Sequence, residues 1–429
     1  MVSRGSEARL ILTAGGVRAI LVLPALWLGI DAVVHSILAS TFGFGFSWFV
    51  DVSALAIAAA LVYSLRIPDV DSPRVRASHL TWGACGVVVV LAIASILVHH
   101  DVHQHGAGDA MAIWNLRAKF LAATFPDIRA AIAAAPYHAE YPLLLPIATA
   151  RIWSLVGVQA AVVPFAISCA FFVATCAIVN RHAGPAAIAI LVVQSSWSLA
   201  TADQMADLPL SLWIVWSATT LLCGRTTRPA AACGAFLAGL AAWTKNEGIA
   251  FFVIVSLLFF RRVWQERAAV SPALGRIAAY ALGAAVPLCV LVHFKLFVAP
   301  VGVGLIETSQ DHASNAVDLA RIGFVLQRMV IELATRFGLP VVALVLWLWF
   351  ERSREAPGAR ADQCPFAGRL SLVAGAQIAA YAGVYVVFSK SLRWHLDTSL
   401  TRLVNHVWPL VVVAVSFGFA CWSSKRDDG

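Results

Sequence analysis

The sequence predicts an all-α, polytopic membrane helix bundle, because it is strongly apolar, weakly charged and divided into long apolar runs. Of its 429 residues, 60% are hydrophobic and only 13% are charged, whereas roughly a quarter of the residues of a soluble domain carry charge. A spanning helix needs about 20 predominantly apolar residues. About twelve runs approach that length: residues 19–40, 46–65, 80–98, 162–179, 185–199, 208–223, 230–243, 249–260, 273–298, 339–350, 370–389 and 403–422.

The whole chain, residues 1–429, is predicted to form one transmembrane domain with both termini in the cytoplasm. Its net charge of +8 comes from residues scattered between the apolar runs, which is typical of topology signals and not of a nucleic-acid surface. The outer loops are then residues 99–141, 201–207, 245–248, 300–337 and 390–402. The apolar segment 142–158 contains Arg151, so we expect it to dip into the membrane without crossing it. The inner loops hold Arg66, Arg74, Arg76, Arg181, Arg225, Arg228, Arg261, Arg262, Arg267, Arg276, Arg352, Arg354, Arg360 and Arg369.

The first long outer loop, residues 99–141, is predicted to carry an interfacial helix over residues 109–125. Asp109 follows two glycines and suits the start of that helix, where it serves either as an N-cap alone or as a functional carboxylate. The apolar side of the helix is expected to hold Ile113, Leu116 and Phe120, with Arg117 and Lys119 elsewhere on its surface.

Acidic and basic residues recur in the outer loops. Transfer of a group from a lipid-linked phosphate needs a carboxylate to accept a proton and cations to hold the departing phosphate. Lys245, Arg393 and Arg402 are predicted to lie outside, against the positive-inside tendency. Either an anionic ligand binds them there, or they pair with Glu247 and Asp397 or with lipid headgroups. The candidates after Asp109 are His138, Glu140, Asp203, Asp207, Lys245, Glu247, Arg393, His395 and Arg402.

A histidine tract and an Asp–His pair invite different interpretations. His99, His100, His103 and His105 are weak candidates for a divalent metal site, the only cofactor that the sequence suggests. Their spacing is irregular, and polar residues are expected at the end of a span in any case. Within the first span, Asp31 and His35 are expected to pair with each other or with another helix, although ionisable residues in a membrane often mark function.

The motifs also resemble those of a known family. An outer-loop Asp followed by AIWNLRAKF, then HAEYPLLLP, a second-loop Asp, TKNEG and a last-loop Arg before a Pro-containing span are similar to the membrane glycosyltransferases of the GT-C superfamily. The most similar branch includes the bacterial relatives of dolichyl-phosphate-mannose protein mannosyltransferases and the lipid A aminoarabinose transferase. The resemblance extends from Asp109 to Pro409.

This resemblance implies an inverting transfer of a sugar from a polyprenyl-phosphate donor to an acceptor glycan, lipid or protein outside a bacterial inner membrane. Asp109 would be the general base and Glu140 would lie near a sugar. Asp203 or Asp207 would match the second-loop acid of the family, while Lys245 and Arg402 would contact the lipid phosphate.

Two other functions remain open from the sequence. In a transporter or lipid flippase the same charges would line a translocation path, although transporters often show internal repeats and paired broken helices, which the sequence lacks. A scaffold of an envelope assembly would use the charges only for structure. The absence of GxGxxG and GxxxxGK[ST] sequences favours a lipid-linked donor over a nucleotide sugar.

Overall fold

All regular elements in the described part of the chain are helices. The computed structural model describes residues 14–64, 79–135, 137–224, 226–266, 270–300, 315–316, 318–352, 364–387 and 391–427. The helices are α1 (Ala14–Phe42), α2 (Trp48–Ser64), α3 (His79–Val102), α4 (Asn115–Thr124), α5 (Ile128–Ala134), α6 (Leu144–Val156), α7 (Val162–Val193), α8 (Ser195–Leu199), α9 (Asp207–Leu222), α10 (Arg228–Thr244), α11 (Asn246–Gln265), α12 (Val270–His293), α13 (Leu319–Glu332), α14 (Leu339–Arg352), α15 (Cys364–Val387) and α16 (Leu392–Asp427). Single π-helical turns precede α4, follow α12 and join α13 to α14.

Seven helices among the described residues are long and apolar enough to cross a membrane, so the predicted all-helical membrane bundle is confirmed in outline. They are Ala19–Phe42, His79–Val102, Val162–Val193, Pro272–Val298, Leu319–Trp349, Pro365–Val387 and Leu392–Trp422. The predicted number of about twelve spans is not confirmed. Two predicted spans, 46–65 and 208–223, correspond to the shorter helices Trp48–Val62 and Asp207–Leu222.

Two short apolar helices, α9 and α10, lie at the centre of the bundle. Every residue of α9 is buried, as is most of α10, and these helices pack against each other and against α7, α11, α12 and α16. By contrast, α3 and α12 expose large apolar side chains such as Leu91 and Leu282. An apolar outer surface of this kind is what lipid requires.

Local sequence signals explain several helix ends. The side chains of Asp127, Thr227 and Asp318 accept hydrogen bonds from backbone amides in the first turns of α5, α10 and α13, as N-caps do. Gly157 ends α6 in the left-handed conformation with φ 79°. Gly184 has φ 81° and interrupts α7 just before Pro185, where the sequence predicts a boundary between two spans.

Two predicted outer loops overlap stretches that are long and apolar enough to cross a membrane, Leu319–Trp349 and Leu392–Trp422, and the loop assignments are wrong where they overlap. Residues 319–337 of the predicted loop 300–337 form α13 and most of the π-helical turn after it. The predicted loop 390–402 mostly forms the beginning of α16, which starts at Leu392 and includes Arg402. The charges in these segments suggested loops, but they lie on helices and pair with neighbouring helices, as in the contact of Arg328 with Asp397.

Two buried polar groups in the apolar N-terminal half are paired. His35 Nδ1 lies 3.2 Å from Asp31 Oδ2, which confirms that these residues satisfy each other. Arg151, the charge within segment 142–158, donates to both carboxylate oxygens of Asp51 on α2. The segment forms a helix of 13 residues, α6, which is too short to cross a bilayer.

The predicted orientation remains a prediction, and part of its basis lies outside the described residues. These positions include the first ten residues, Lys390 and the basic loop residues Arg66, Arg74, Arg76, Arg225, Arg267, Arg354 and Arg360.

Helices α10 and α12 approach each other closely through glycines. A Cβ atom on Gly283 would lie 1.9 Å from the backbone oxygen of Ala232, and one on Gly239 would lie 2.3 Å from Cγ of Pro287. Because backbone atoms cannot move aside as a flexible side chain can, Gly283 fixes the separation of the two helices.

We therefore expect Gly283→Ala to lower the free energy of unfolding by roughly 1–3 kcal/mol, as overpacking does. The matched control is Gly375→Ala on α15, where a Cβ atom would meet nothing within 4 Å and the higher helix propensity of Ala is worth up to about 1 kcal/mol. Thermal unfolding in detergent compares the two; equal midpoints would contradict the close approach.

Candidate functional site

Asp207 is the centre of a buried network of charged side chains. It is the first residue of α9 and is only 2% exposed. Its Oδ1 accepts hydrogen bonds from Lys245 Nζ at 2.9 Å and from His406 Nε2 at 2.5 Å, and its Oδ2 accepts from Arg402 Nε at 3.1 Å. One carboxylate therefore joins two other segments of the chain, the break after α10 and helix α16, to its own.

Lys245 reaches Asp207 because the chain breaks between α10 and α11 at this residue. Its backbone is extended, with φ −150° and ψ 157°, and Gly248 makes the tight return possible because a Cβ atom there would lie 1.9 Å from the oxygen of Ala241. The amine also lies 3.3 Å from Glu247 Oε1. Burial alone would lower the pKa of Lys245, but the carboxylates of Asp207 and Glu247 outweigh it and raise that pKa, so the amine is positively charged.

Helix α16 contributes Arg402 and His406, which lie one helical turn apart and so share a face. His406 is fully buried, and its second ring nitrogen, Nδ1, lies 3.0 Å from the hydroxyl of Tyr381 on α15. Arg402 reaches further and connects Asp207 to Asp109. Asp109, Asp207, Lys245, Glu247, Arg402 and His406 are called the Asp207 network below.

Asp109 is the part of this network most open to its surroundings. Its side chain makes no capping hydrogen bond to the following helix, so the interpretation of Asp109 as a cap alone is wrong. Instead, its Oδ2 accepts from Arg402 Nη1 at 2.8 Å, with 36% of the Asp109 side chain and 26% of the Arg402 side chain exposed. No described residue donates to Oδ1 of Asp109, which leaves that oxygen available to a substrate.

Two loops interlock to hold Asp109 in place. Gly106 has φ 79°, and a Cβ atom there would lie 2.8 Å from the backbone oxygen of Asp203. Gln204 donates to the carbonyl of Gln104 at 2.9 Å and accepts from Asn115 at 2.6 Å. The Asn in AIWNLRAKF therefore links the loop before α4 to the loop before α9.

The predicted helix after Asp109 is present, but the prediction that Arg117 lies away from its buried side is wrong. Arg117 is 0% exposed and lies on the buried side with Ile113 and Trp114. Its guanidinium donates to the carbonyls of Tyr137, His138 and Tyr141, which explains how a charge is accommodated there. Burial lowers its pKa to about 10, with Glu140 acting in the opposite direction, so Arg117 remains charged at neutral pH.

Arg117 thereby fixes the turn that carries Glu140. His138 has a positive φ of 53°, and its Nδ1 lies 3.1 Å from Glu140 Oε1. Lys295, in the π-helical turn that follows α12, donates to the backbone oxygen of Glu140 and to Asn246 Oδ1. Burial would raise the pKa of Glu140, but the hydrogen bond with His138 and the charge of Lys295 outweigh it and lower that pKa.

Tyr141 connects the Glu140 turn to the Asp207 network. Its ring lies 6.0 Å from Lys245 Nζ. Burial first, and then the charges of Glu247, Glu140 and Asp109, raise the pKa of Tyr141 well above its usual range, against the effect of Arg402. The phenol therefore keeps its proton and offers a neutral hydroxyl among three carboxylates.

The predicted site residues fall into two groups. The structure joins Asp109, Asp207, Lys245, Glu247 and Arg402 in one network, with His138 and Glu140 beside it. It does not bring the remaining candidates into that network. Asp203 pairs with His99 at 2.8 Å, Arg393 is exposed and forms no ion pair with a described residue, and His395 packs against Tyr385 with ring centroids 5.4 Å apart.

The predicted metal site in the histidine tract is not assembled. His99 binds Asp203, His100 stacks on Phe165 with ring centroids 3.8 Å apart, and His103 and His105 are exposed. Across the residues that the structure covers, the one group of side chains with metal-site spacing is Asp31, His35 and Asp51, away from this tract.

Sequence reasoning missed four residues of the site: Arg117, Lys295, Tyr381 and His406. A signal existed for His406, because it lies four residues after Arg402 and shares its helical face. Lys295 and Tyr381 lie inside or at the end of apolar runs, and nothing in the local sequence indicates which helix they face.

No model of a known protein family matches the chain, and no curated protein or solved structure matches it significantly either. The likeness to GT-C glycosyltransferases therefore rests on the short motifs described above.

The structure predicts that neutralising Asp207 lowers the stability of the protein more than neutralising the nearby Asp203. Asp207→Asn removes the shared negative charge from beside Lys245 and Arg402, and breaking a buried ion pair costs roughly 3–5 kcal/mol. Asp203→Asn alters a side chain that is 25% exposed and paired only with a histidine, so its cost should stay within about 1 kcal/mol. Unfolding in detergent measures both, and comparable losses would contradict the central role of Asp207.

Proposed function

We propose that this chain is a membrane glycosyltransferase that moves a sugar from a polyprenyl-phosphate donor to an acceptor hydroxyl, with inversion. The observation that carries the proposal is Asp109: a partly exposed carboxylate, oriented through Oδ2 by Arg402 and open at Oδ1. A general base must present a free oxygen to the proton that it accepts. The family resemblance supports the same assignment.

In the proposed reaction, Oδ1 of Asp109 accepts the proton of the acceptor hydroxyl. The hydroxyl oxygen then forms a bond to the anomeric carbon from one side. The bond between that carbon and the phosphate oxygen breaks on the opposite side, and polyprenyl phosphate leaves with the electron pair. Displacement from the opposite side inverts the anomeric configuration.

The cations have different parts in this proposal because their exposure differs. Arg402 is partly exposed, and its Nη2 donates to no described residue, so it contacts the phosphate directly. Lys245 is only 3% exposed and is engaged by two carboxylates, so it supports the phosphate from behind through its charge. Glu140 and Tyr141 face the sugar or the acceptor. The site lies on the outer side of a bacterial plasma membrane.

The test is transfer of label from radiolabelled polyprenyl-phosphate sugars in membranes that contain acceptors. Asp109→Asn should reduce the rate at least about 100-fold, the usual contribution of a general base, while donor binding persists because the amide oxygen still accepts from Arg402. The matched control is Asp101→Asn, an exposed acid at the end of α3. Transfer that survives Asp109→Asn would overturn the assignment.

Lys245→Ala provides a second comparison. It leaves Asp207 and Glu247 without their shared counter-ion, so both transfer and thermal stability should fall, whereas Asp109→Asn should affect transfer alone. If Lys245→Ala loses transfer with unchanged stability, Lys245 acts on the substrate directly and not through Asp207.

A transporter or lipid flippase is the second candidate function. The observation that favours it is the group Asp31, His35, Asp51 and Arg151, buried between apolar helices, because ionisable groups within a membrane often mark the path of an ion or proton. Lipid translocation in proteoliposomes, with no transfer from any donor, would support this function. Indifference of both assays to Asp109→Asn would indicate a scaffold.

A further inference from the structure

A second group of ionisable side chains lies outside the proposed site and has no part in it. Asp31 and His35 are on α1, Asp51 is at the start of α2, and Arg151 is on α6. Their side chains are between 0% and 11% exposed, and α1 packs against both α2 and α6. One oxygen from each aspartate and one nitrogen of His35 lie within 4.8 Å of one another.

The hydrogen bonds of His35 fix its protonation state. The backbone amide of Ser47 donates to His35 Nε2 at 3.2 Å. An amide can only donate, so Nε2 is unprotonated and the ring proton lies on Nδ1. Nδ1 in turn lies 3.1 Å from the carbonyl oxygen of Asp31 and 3.2 Å from its Oδ2, both of which accept. His35 is therefore neutral and supplies no positive charge.

The remaining charges balance only if Asp31 is neutral as well. Arg151 donates to both oxygens of Asp51, so these two side chains neutralise each other. Asp31 is 1% exposed, and its Oδ1 has no hydrogen-bond partner. An ionised Asp31 would thus be a buried negative charge without a counter-ion, which is strongly unfavourable.

A metal ion and a proton are the two cations that would restore the balance, and the contacts favour the proton. Both nitrogens of His35 are engaged, and both oxygens of Asp51 are held by Arg151. The cluster therefore offers one open oxygen, whereas zinc takes four ligands and magnesium or calcium takes six or more. A proton needs a single oxygen, and one carboxylate oxygen of Asp51 lies within 4.8 Å of one of Asp31.

We propose that Asp31 is a proton-binding site within the N-terminal helices, held as a neutral carboxylic acid that donates to the Asp51 carboxylate. The titratable groups that act on Asp31 are His35 on its own helix and Asp51 on α2, with Arg151 of α6 acting through Asp51. Loss of the proton leaves the cluster with a net charge of −1 at the contact of α1, α2 and α6. The cluster thereby couples proton occupancy to the packing of these three helices.

Infrared spectroscopy of the purified full-length protein tests this proposal directly. A protonated carboxyl group gives a C=O stretching band separate from that of a carboxylate, and the band shifts in D₂O. We expect such a band in the wild type, its loss in Asp31→Asn, and its retention in Asp397→Asn, a control acid that is 49% exposed and paired with Arg328.

Stability and metal content supply the second readout. Asparagine is a close isostere of a neutral aspartic acid, so Asp31→Asn should unfold within a few degrees of the wild type, whereas Asp51→Asn should be markedly less stable because Arg151 loses its counter-ion. The proposal fails if Asp31→Asn removes no carboxyl band, or if it is as unstable as Asp51→Asn. It also fails if elemental analysis finds a divalent ion that the wild type retains and Asp31→Asn loses.

Discussion

The hydrogen bonds that Asp207 accepts from Lys245, Arg402 and His406 are the constraint on which the site depends. A carboxylate in the interior of an apolar bundle is tolerable only when cations and donors surround it. Meeting that requirement brings together the start of α9, the break between α10 and α11, and one face of α16. Once these three segments are joined, Arg402 can bond both Asp207 and Asp109. The buried Asp207 therefore determines where the more exposed Asp109 lies.

The same requirement explains how the turn that carries Glu140 is held. Arg117 is buried beneath the turn of residues 137–141 and uses its donors on three backbone carbonyls. Lys295 donates to the backbone oxygen of Glu140 in the same turn. Each cation satisfies backbone oxygens that would otherwise be buried without partners, so the position of Glu140 follows from hydrogen bonding and not from the local preference of its own residue.

The features most readily predicted from the sequence are those that depend on composition or on residues close together in the chain, such as apolar helices and the breaks between them. Apolar runs such as 273–298 and 403–422 lie within observed helices, and the break at Lys245 was visible because a polar turn with a glycine separates two apolar runs. The start of α16 was not predictable in this way, because Asp397 and Arg402 suggest a loop until their partners are known. Arg328, Asp109 and Asp207, which supply those partners, are between 69 and 293 residues away.

The lengths of the central helices determine how deep the site lies. Helix α9 has 16 residues, which rise about 24 Å, whereas the hydrocarbon core of a bilayer is about 30 Å thick. If the far end of α9 meets one boundary of that core, Asp207 at its near end lies roughly 6 Å below the other. A charge at that depth would be separated from the lipid by the longer helices α7 and α16, which pack against α9.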